Sequence, residues 1–202
     1  DFVTIKTRFR SFLSEKKLCA RVVASGDNWW HGFQHGLGII SHAAPVAFSL
    51  GLTTMYIASS FTIAEKGRIT CASDPAIDNF VRFCGARVVH DGYEYNRQQK
   101  VHHITQHAKN TGRKIALRVC WQSAGGSNCC HCEKCWRTIL EIYAEGSNPR
   151  DFGFDYPSFG ALCQTIQANA ALLKERRDAY YAPLQAVLRE NYSIGRIPKE
   201  LR

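Results

Sequence analysis

The sequence predicts an α/β fold: a parallel sheet, then a four-cysteine metal knuckle, then a helical carboxyl-terminal region. Three observations predict it. Strand-like apolar runs alternate with helix-like segments across residues 1–119, the pattern of strand–helix–strand crossovers. Five of the nine cysteines (Cys120, Cys129, Cys130, Cys132 and Cys135) fall within 16 residues. From Glu133 onward the pattern is helical. The expected divisions are therefore residues 1–119 for the α/β part, 120–146 for the knuckle and its helix, and 147–202 for a helical extension.

Residues 2–6 read as a strand leading into a helix over 8–17. Residues 28–64 then carry no Asp, Glu, Lys or Arg, which raises the question of a membrane span. A span needs about 20 mostly apolar residues. Here His31, Gln34, His35, Ser41 and His42 interrupt the run, with Pro45 midway. Helical spacing through Leu37, Ile40, Ala44, Ala47 and Phe48 stops at Gly51, a natural cap. Residues 53–58 follow as a strand expected to be buried on both faces. A buried helix feeding a buried strand explains the missing charge without a membrane.

A polar loop over 59–73 comes next. Asp74 and Pro75 are placed as N-cap and first residue of a helix reaching Phe83. Gly85 ends it, and residues 86–89 form the next strand. Residues 93–110 read as a polar helix, 115–119 as a third apolar strand, and 132–144, 159–174 and 183–190 as helices. About four strands are visible, fewer than a usual sheet contains, and the first has no upstream partner. The expectation is a sheet truncated at its amino end.

Lys and Arg number 26 against 17 Asp and Glu, a formal charge of +9. Such a balance favours acidic partners: nucleotides, phosphorylated substrates or RNA. An odd cysteine count with no leader-like run points to a reducing, cytoplasmic setting and a metal site rather than a disulfide scaffold.

Four thiolates around zinc at ~2.3 Å need backbone that turns tightly about the ion. Cys129, Cys132 and Cys135 recur at intervals of three, and Cys120 supplies a fourth ligand across a loop softened by Gly125 and Gly126. Cys130 and His131 are the competitors. Using Cys130 would leave a single residue before Cys132, and His131 is crowded by its neighbours, so the spacing assigns Cys129. Four thiolates leave no open position for water, so the zinc is structural. Lys134, Arg137 and Arg118 are near enough in sequence to offset its charge. The segment 123–127 looks like a phosphate-cradling turn but has neither Lys nor Asp and reads as linker.

C-x8-C-x2-C-x2-C at the end of a parallel sheet, with Arg137 two residues past the last cysteine, resembles the 7-cyano-7-deazaguanine synthase-like proteins of the PP-loop ATP pyrophosphatase superfamily. The resemblance runs from about Gly36 to Gly146. It includes the helix 36–50, the Tyr56-Ile57-Ala58-Ser59-Ser60 strand end, the segment Cys71-Ala72-Ser73-Asp74-Pro75, and the helix start Arg97-Gln98-Gln99-Lys100. It implies a Rossmann-like fold, structural zinc, ATP with Mg²⁺, and an adenylating ligase reaction on a small-molecule substrate that releases pyrophosphate. The family's Ser-Gly-Gly-x-Asp-Ser loop is absent from this sequence; the expectation is that it lies upstream, so no catalytic residue is assigned here. The residues around Ser73 depart from the synthase pattern, which points to a sister family with another substrate.

The candidate substrate- or nucleotide-binding residues are Ser59, Ser60, Asp74, His90, Asp91, Arg97 and Lys100. Ser59 and Ser60 leave a strand at its carboxyl end, where open α/β sheets bind ligands; the alternative is a plain turn. Asp74 is a helix cap, a substrate contact, or both. His90 and Asp91 end the next strand, with a loop hydrogen bond as the alternative. Arg97 and Lys100 share one helix face, usually a solvated one. The pair Trp29 and Trp30 is read as packing, and His102, His103 and His107 as surface. A competing class is a zinc-bearing RNA-binding module, with Lys174 to Arg177 as an exposed basic run; tRNA and a second copy of the chain are the further partners considered.

Overall fold

A computed structural model describes residues 3–9, 11, 13–22, 28–67, 71–120, 122–123, 125–175 and 180–193. They form two compact units, Asp1–Asn96 and Arg97–Arg202. The division falls at Asn96 rather than at 119, because the helix that opens the second unit packs on the helix following the cysteines.

The first unit contains α1 (Glu15–Arg21), a π-helical turn (Trp30–Gln34) running straight into α2 (His35–Ser49), β1 (Thr54–Ala58), α3 (Pro75–Asp78), β2 (Arg82–Phe83) and β3 (Ala86–Asp91). The sheet has three strands in the order β1-β3-β2. β1 and β3 are parallel with Thr54 opposite Arg87 and Ala58 opposite Asp91, while β2 runs antiparallel to β3. Ile40 of α2, Ile57 of β1 and Val88 of β3 form a small buried core, backed by Met55, Val81 and Phe83. The α2 stop falls where expected. Gly51 takes φ +64 and Leu52 N–H reaches back to the Ala47 carbonyl at 2.9 Å, a left-handed helix end that suits glycine.

Several expectations are corrected. Residues 3–6 are exposed and form no strand, and Phe2 lies outside the described residues. The first helix begins at Glu15, not at 8. β1 is an edge strand covered on one face only, so Tyr56 is 67% exposed and Ile57 alone is fully buried. Asp74 does cap a helix, its carboxylate accepting from Ala76 N–H at 2.7 Å, but that helix ends at Asp78. Cys84 (φ +46) and Gly85 (φ +82) instead close a tight hairpin that pairs Arg82 and Phe83 with β3. Left-handed backbone at both central positions is what a two-residue hairpin turn demands, and the pairing satisfies β3's otherwise open edge.

The second unit contains α4 (Arg97–Thr111), α5 (Glu133–Ala144), α6 (Phe159–Ala168), α7 (Ala170–Glu175) and α8 (Ala182–Ser193). The expected strand 115–119 is absent. Its Leu117 N–H goes to the Phe152 carbonyl, while Val119 N–H and the Leu117 carbonyl both bond the Asn128 side chain. The expected helix 159–174 breaks at Asn169, whose side-chain amide donates to the Thr165 carbonyl. α5 lies at the centre. Trp136, Ile139, Ile142 and Ala144 have no exposed surface and pack with Phe154, Tyr156, Leu162, Tyr181 and Leu184. No helix among the described residues is long and apolar enough to cross a membrane. The chain is thus mixed α/β with a cysteine cluster and a helical carboxyl-terminal region, its sheet holding one parallel pair.

Candidate metal centre and sheet-edge cluster

The knuckle is assembled by the loop that joins residues 115–119 to α5. Asn128 holds it closed: its Oδ1 accepts from Val119 and Cys120 N–H at 3.1 and 3.3 Å, and its Nδ2 donates to the Leu117 and Gly153 carbonyls. Arg118 adds a second clamp, donating to the Cys120 and Ser123 carbonyls at 3.0 and 2.8 Å. Cys132 is the residue just before α5, and its carbonyl accepts from Cys135 and Trp136 N–H. The helix start therefore fixes two of the four sulfurs.

The Sγ atoms of Cys120, Cys129, Cys132 and Cys135 all lie within 4.8 Å of one another. Individual separations are 3.5 Å for Cys132–Cys135, 3.9 Å for Cys129–Cys135 and 4.0 Å for Cys120–Cys132. Four sulfurs ~2.3 Å from a tetrahedral ion stand about 3.8 Å apart, so the set fits zinc. Backbone N–H groups point at two of the sulfurs, Ser123 toward Cys120 and Cys132 toward Cys129, each at 3.4 Å. Burial opposes ionisation of Cys120, yet the backbone hydrogen bonds from Cys129, Ser123 and Gln122 outweigh it and bring the thiol down to about 6. Burial pushes the thiols of Cys132 and Cys135 up, so those two need a cation to become ligands at neutral pH.

Both competitors turn away. Cys130 adopts φ +61 and sends its buried sulfur toward the Asn128 carbonyl. His131 is exposed, and its Nδ1 donates to the Cys129 carbonyl at 2.7 Å. Arg137 is spent elsewhere: it pairs with Glu133 at 3.1 Å, lies 3.9 Å from Glu141 and covers the Tyr180 ring.

In the first unit the parallel pair brings several predicted residues to one edge. His90 and Asp91 stand opposite Ile57 and Ala58, and Ser59 N–H extends the ladder to the Asp91 carbonyl at 2.8 Å. The Ser59 hydroxyl donates to the Phe61 carbonyl, and Ser60 is exposed. The His90 ring is nearly buried. Its Nδ1–H donates to Asp78 Oδ2 at 2.8 Å, and the same oxygen accepts the Ser73 hydroxyl at 2.9 Å. Tyr93 stands edge-on to His90 at 5.7 Å, and burial together with the carboxylates of Asp74 and Glu65 raises its phenol pKa. Asp74 therefore caps α3 within reach of this edge.

Asp78, Tyr93 and a contact between His35 and Cys71 (3.4 Å) were not anticipated. For the last, spacing places only His31 and His35 on one helix face and gives no sign of Cys71. Arg97 and Lys100 belong to α4 in the second unit. Arg97 binds Glu141 at 3.0 Å and Thr138 at 2.6 Å. His102, read as a plain surface residue, has a carboxylate partner in Glu145 at 2.7 Å.

Fold and site together define a mixed α/β protein with a four-cysteine knuckle able to hold a metal ion such as zinc. No family model, curated protein or solved structure matches the chain.

Proposed function

We propose that the chain is a zinc-stabilised portion of an ATP-dependent adenylating enzyme with a Rossmann-like sheet, of the PP-loop pyrophosphatase type. The observation that carries the reading is the knuckle, whose four sulfurs converge in the spacing of that family directly ahead of a buried helix. A closed tetrathiolate site does no chemistry of its own; it would hold α5 in register. Chemistry would belong at the carboxyl edge of β1 and β3, the usual ligand position in open α/β sheets. There Ser60 offers an exposed hydroxyl beside Ser59, whose own hydroxyl is held by the Phe61 carbonyl, and His90 is oriented by Asp78. Asp91 is an exposed carboxylate suited to the Mg²⁺ that accompanies ATP phosphates. ATP supplies the adenylyl group, and a substrate oxygen displaces pyrophosphate from its α-phosphorus. The test is pyrophosphate release when the full-length parent receives ATP, Mg²⁺ and a panel of small carboxylic acids and amides. Release that needs both ATP and one acid or amide supports the reading; none across the panel refutes it.

A second reading rests on charge. Residues 95–132 contain no Asp or Glu but six Lys and Arg. Of these Lys109, Arg113 and Lys114 line a cleft of about 500 Å³ beside Ser147 and Phe152. An RNA-binding role would then appear as tRNA affinity that falls steeply with salt.

A further inference from the structure

Trp30–Gln34 is a π-helical turn fused to α2; such turns are rare and frequently lie at functional sites. Its effect here is to set the rings of His31 and His35 side by side, 6.4 Å apart, with Trp30 packed 5.5 Å from His35. The segment carrying Cys71 is pinned to the same turn. Ala72 N–H donates to the His31 carbonyl at 2.7 Å, and Gly36 lies so close to residues 72–73 that a Cβ there would stand 2.7 Å from the Ala72 carbonyl. Backbone contacts thus fix Cys71 against α2. Its Sγ lies 3.4 Å from His35 Nδ1, and both residues are partly accessible. The titratable groups next to this pair are His31 on the turn and Asp78, whose Oδ1 stands 2.5 Å from where a Cβ at Gly36 would lie.

A thiol within hydrogen-bond reach of an imidazole nitrogen is the arrangement that activates a cysteine nucleophile. We propose that Cys71 is a nucleophile activated by His35, and that its substrate is an activated acyl group. His35 Nδ1 takes the S–H proton as the thiolate attacks the carbonyl carbon. The new C–S bond forms and the carbonyl carbon–oxygen bond to the leaving group breaks, the electron pair departing with that group. With an acyl-adenylate the leaving group is AMP; this choice of donor rests on the adenylation reading, whereas the nucleophile does not. An amine then attacks the thioester carbon, the C–S bond breaks, His35 returns its proton to sulfur, and the proton lost by the amine passes to solvent.

The test uses the zinc-loaded protein, in which Cys19, Cys84 and Cys163 lie outside the cluster and serve as internal references. Iodoacetamide alkylation is followed at each cysteine by mass spectrometry across pH, and p-nitrophenyl acetate serves as the acyl donor. Cys71 is expected to react roughly three- to tenfold faster than exposed Cys84 at pH 7, with its rate levelling off below the ordinary thiol range of about 8.5. It alone should gain an acetyl group, and His35→Asn should remove the advantage. Alkylation of Cys71 at the Cys84 rate, or acetylation spread evenly over the reference cysteines, overturns the proposal. Should His35→Asn fail to fold, the wild-type pH profile decides alone. Neither probe needs ATP, so a negative pyrophosphate assay defeats the adenylation reading and leaves the thiol result standing.

Discussion

Cys132 Sγ sits 3.5 Å from Cys135 Sγ, one turn along the start of α5. That separation is closer than two neutral thiols need and suits two ligands on one ion. Cys132→Ser and Cys135→Ser should therefore lose zinc, measured by elemental analysis of purified protein, and lower the melting temperature of the second unit. Metal binding to such sites contributes on the order of 10 kcal/mol in small zinc domains. The buried core around Trp136 should leave a smaller loss here. Cys130→Ala and His131→Ala should keep full zinc content, because neither side chain faces the cluster. Loss of zinc from either would reassign a ligand.

Zinc uptake should release protons. Burial keeps Cys132 and Cys135 protonated in the metal-free site, whereas Cys120, at about 6, is largely ionised at pH 7.5. At least two protons, those of Cys132 and Cys135, should therefore leave on binding, and each unit fall in pH should weaken affinity by at least about 100-fold. Calorimetry in two buffers of different ionisation enthalpy counts them. Zero protons would mean that the apo cluster already carries its thiolates.

The knuckle was legible because metal geometry is written in local spacing, and Cys120, Cys129, Cys132 and Cys135 needed no knowledge of distant contacts. Gly51 and Asp74 were legible for the same reason: each cap is decided within a few residues. The residues 79–83 were not. Their helical reading lost to a hairpin whose stability depends on β3, a partner later in the chain. Residues 115–119 look like a strand because they are apolar, but Val119 N–H and the Leu117 carbonyl bond the Asn128 side chain and Leu117 N–H the Phe152 carbonyl, which no periodicity reveals. The Asp78–His90 and His35–Cys71 contacts join residues 12 and 36 positions apart, so only the fold could disclose them.

Gly36 should be damaged by alanine and Gly125 should not. A Cβ at Gly36 would lie 2.5 Å from Asp78 Oδ1 and 2.9 Å from Ser73 Cα, so backbone must move; at Gly125 nothing lies within 4 Å. Gly36→Ala should cost roughly 1–3 kcal/mol in urea unfolding of the first unit. It should also slow Cys71 alkylation by displacing residues 72–73. Gly125→Ala should be neutral within about 0.5 kcal/mol. Equal effects would show that α2 and residues 72–73 are not in contact.

Glu141 offers a test whose sign is set by pH. Its side chain is 1% exposed, with Arg97 at 3.0 Å and Arg137 at 3.9 Å. Burial raises its carboxyl pKa even against the pull of both arginines. A carboxyl whose folded pKa exceeds its unfolded value of about 4.3 holds its proton more tightly when folded. Its contribution is complete at low pH and is lost as pH rises through the folded pKa. Glu141→Ala takes from Arg97 its carboxylate while Arg137 keeps Glu133, and should cost roughly 1–3 kcal/mol. Glu141→Gln keeps an acceptor and cannot ionise, so it should cost less, and its deficit against wild type should shrink as pH climbs. Urea unfolding followed by circular dichroism from pH 4.5 upward to 7.5, with zinc held saturating, reads that trend. A deficit that stays flat with pH would mean the arginines prevail over burial and the carboxylate is charged throughout.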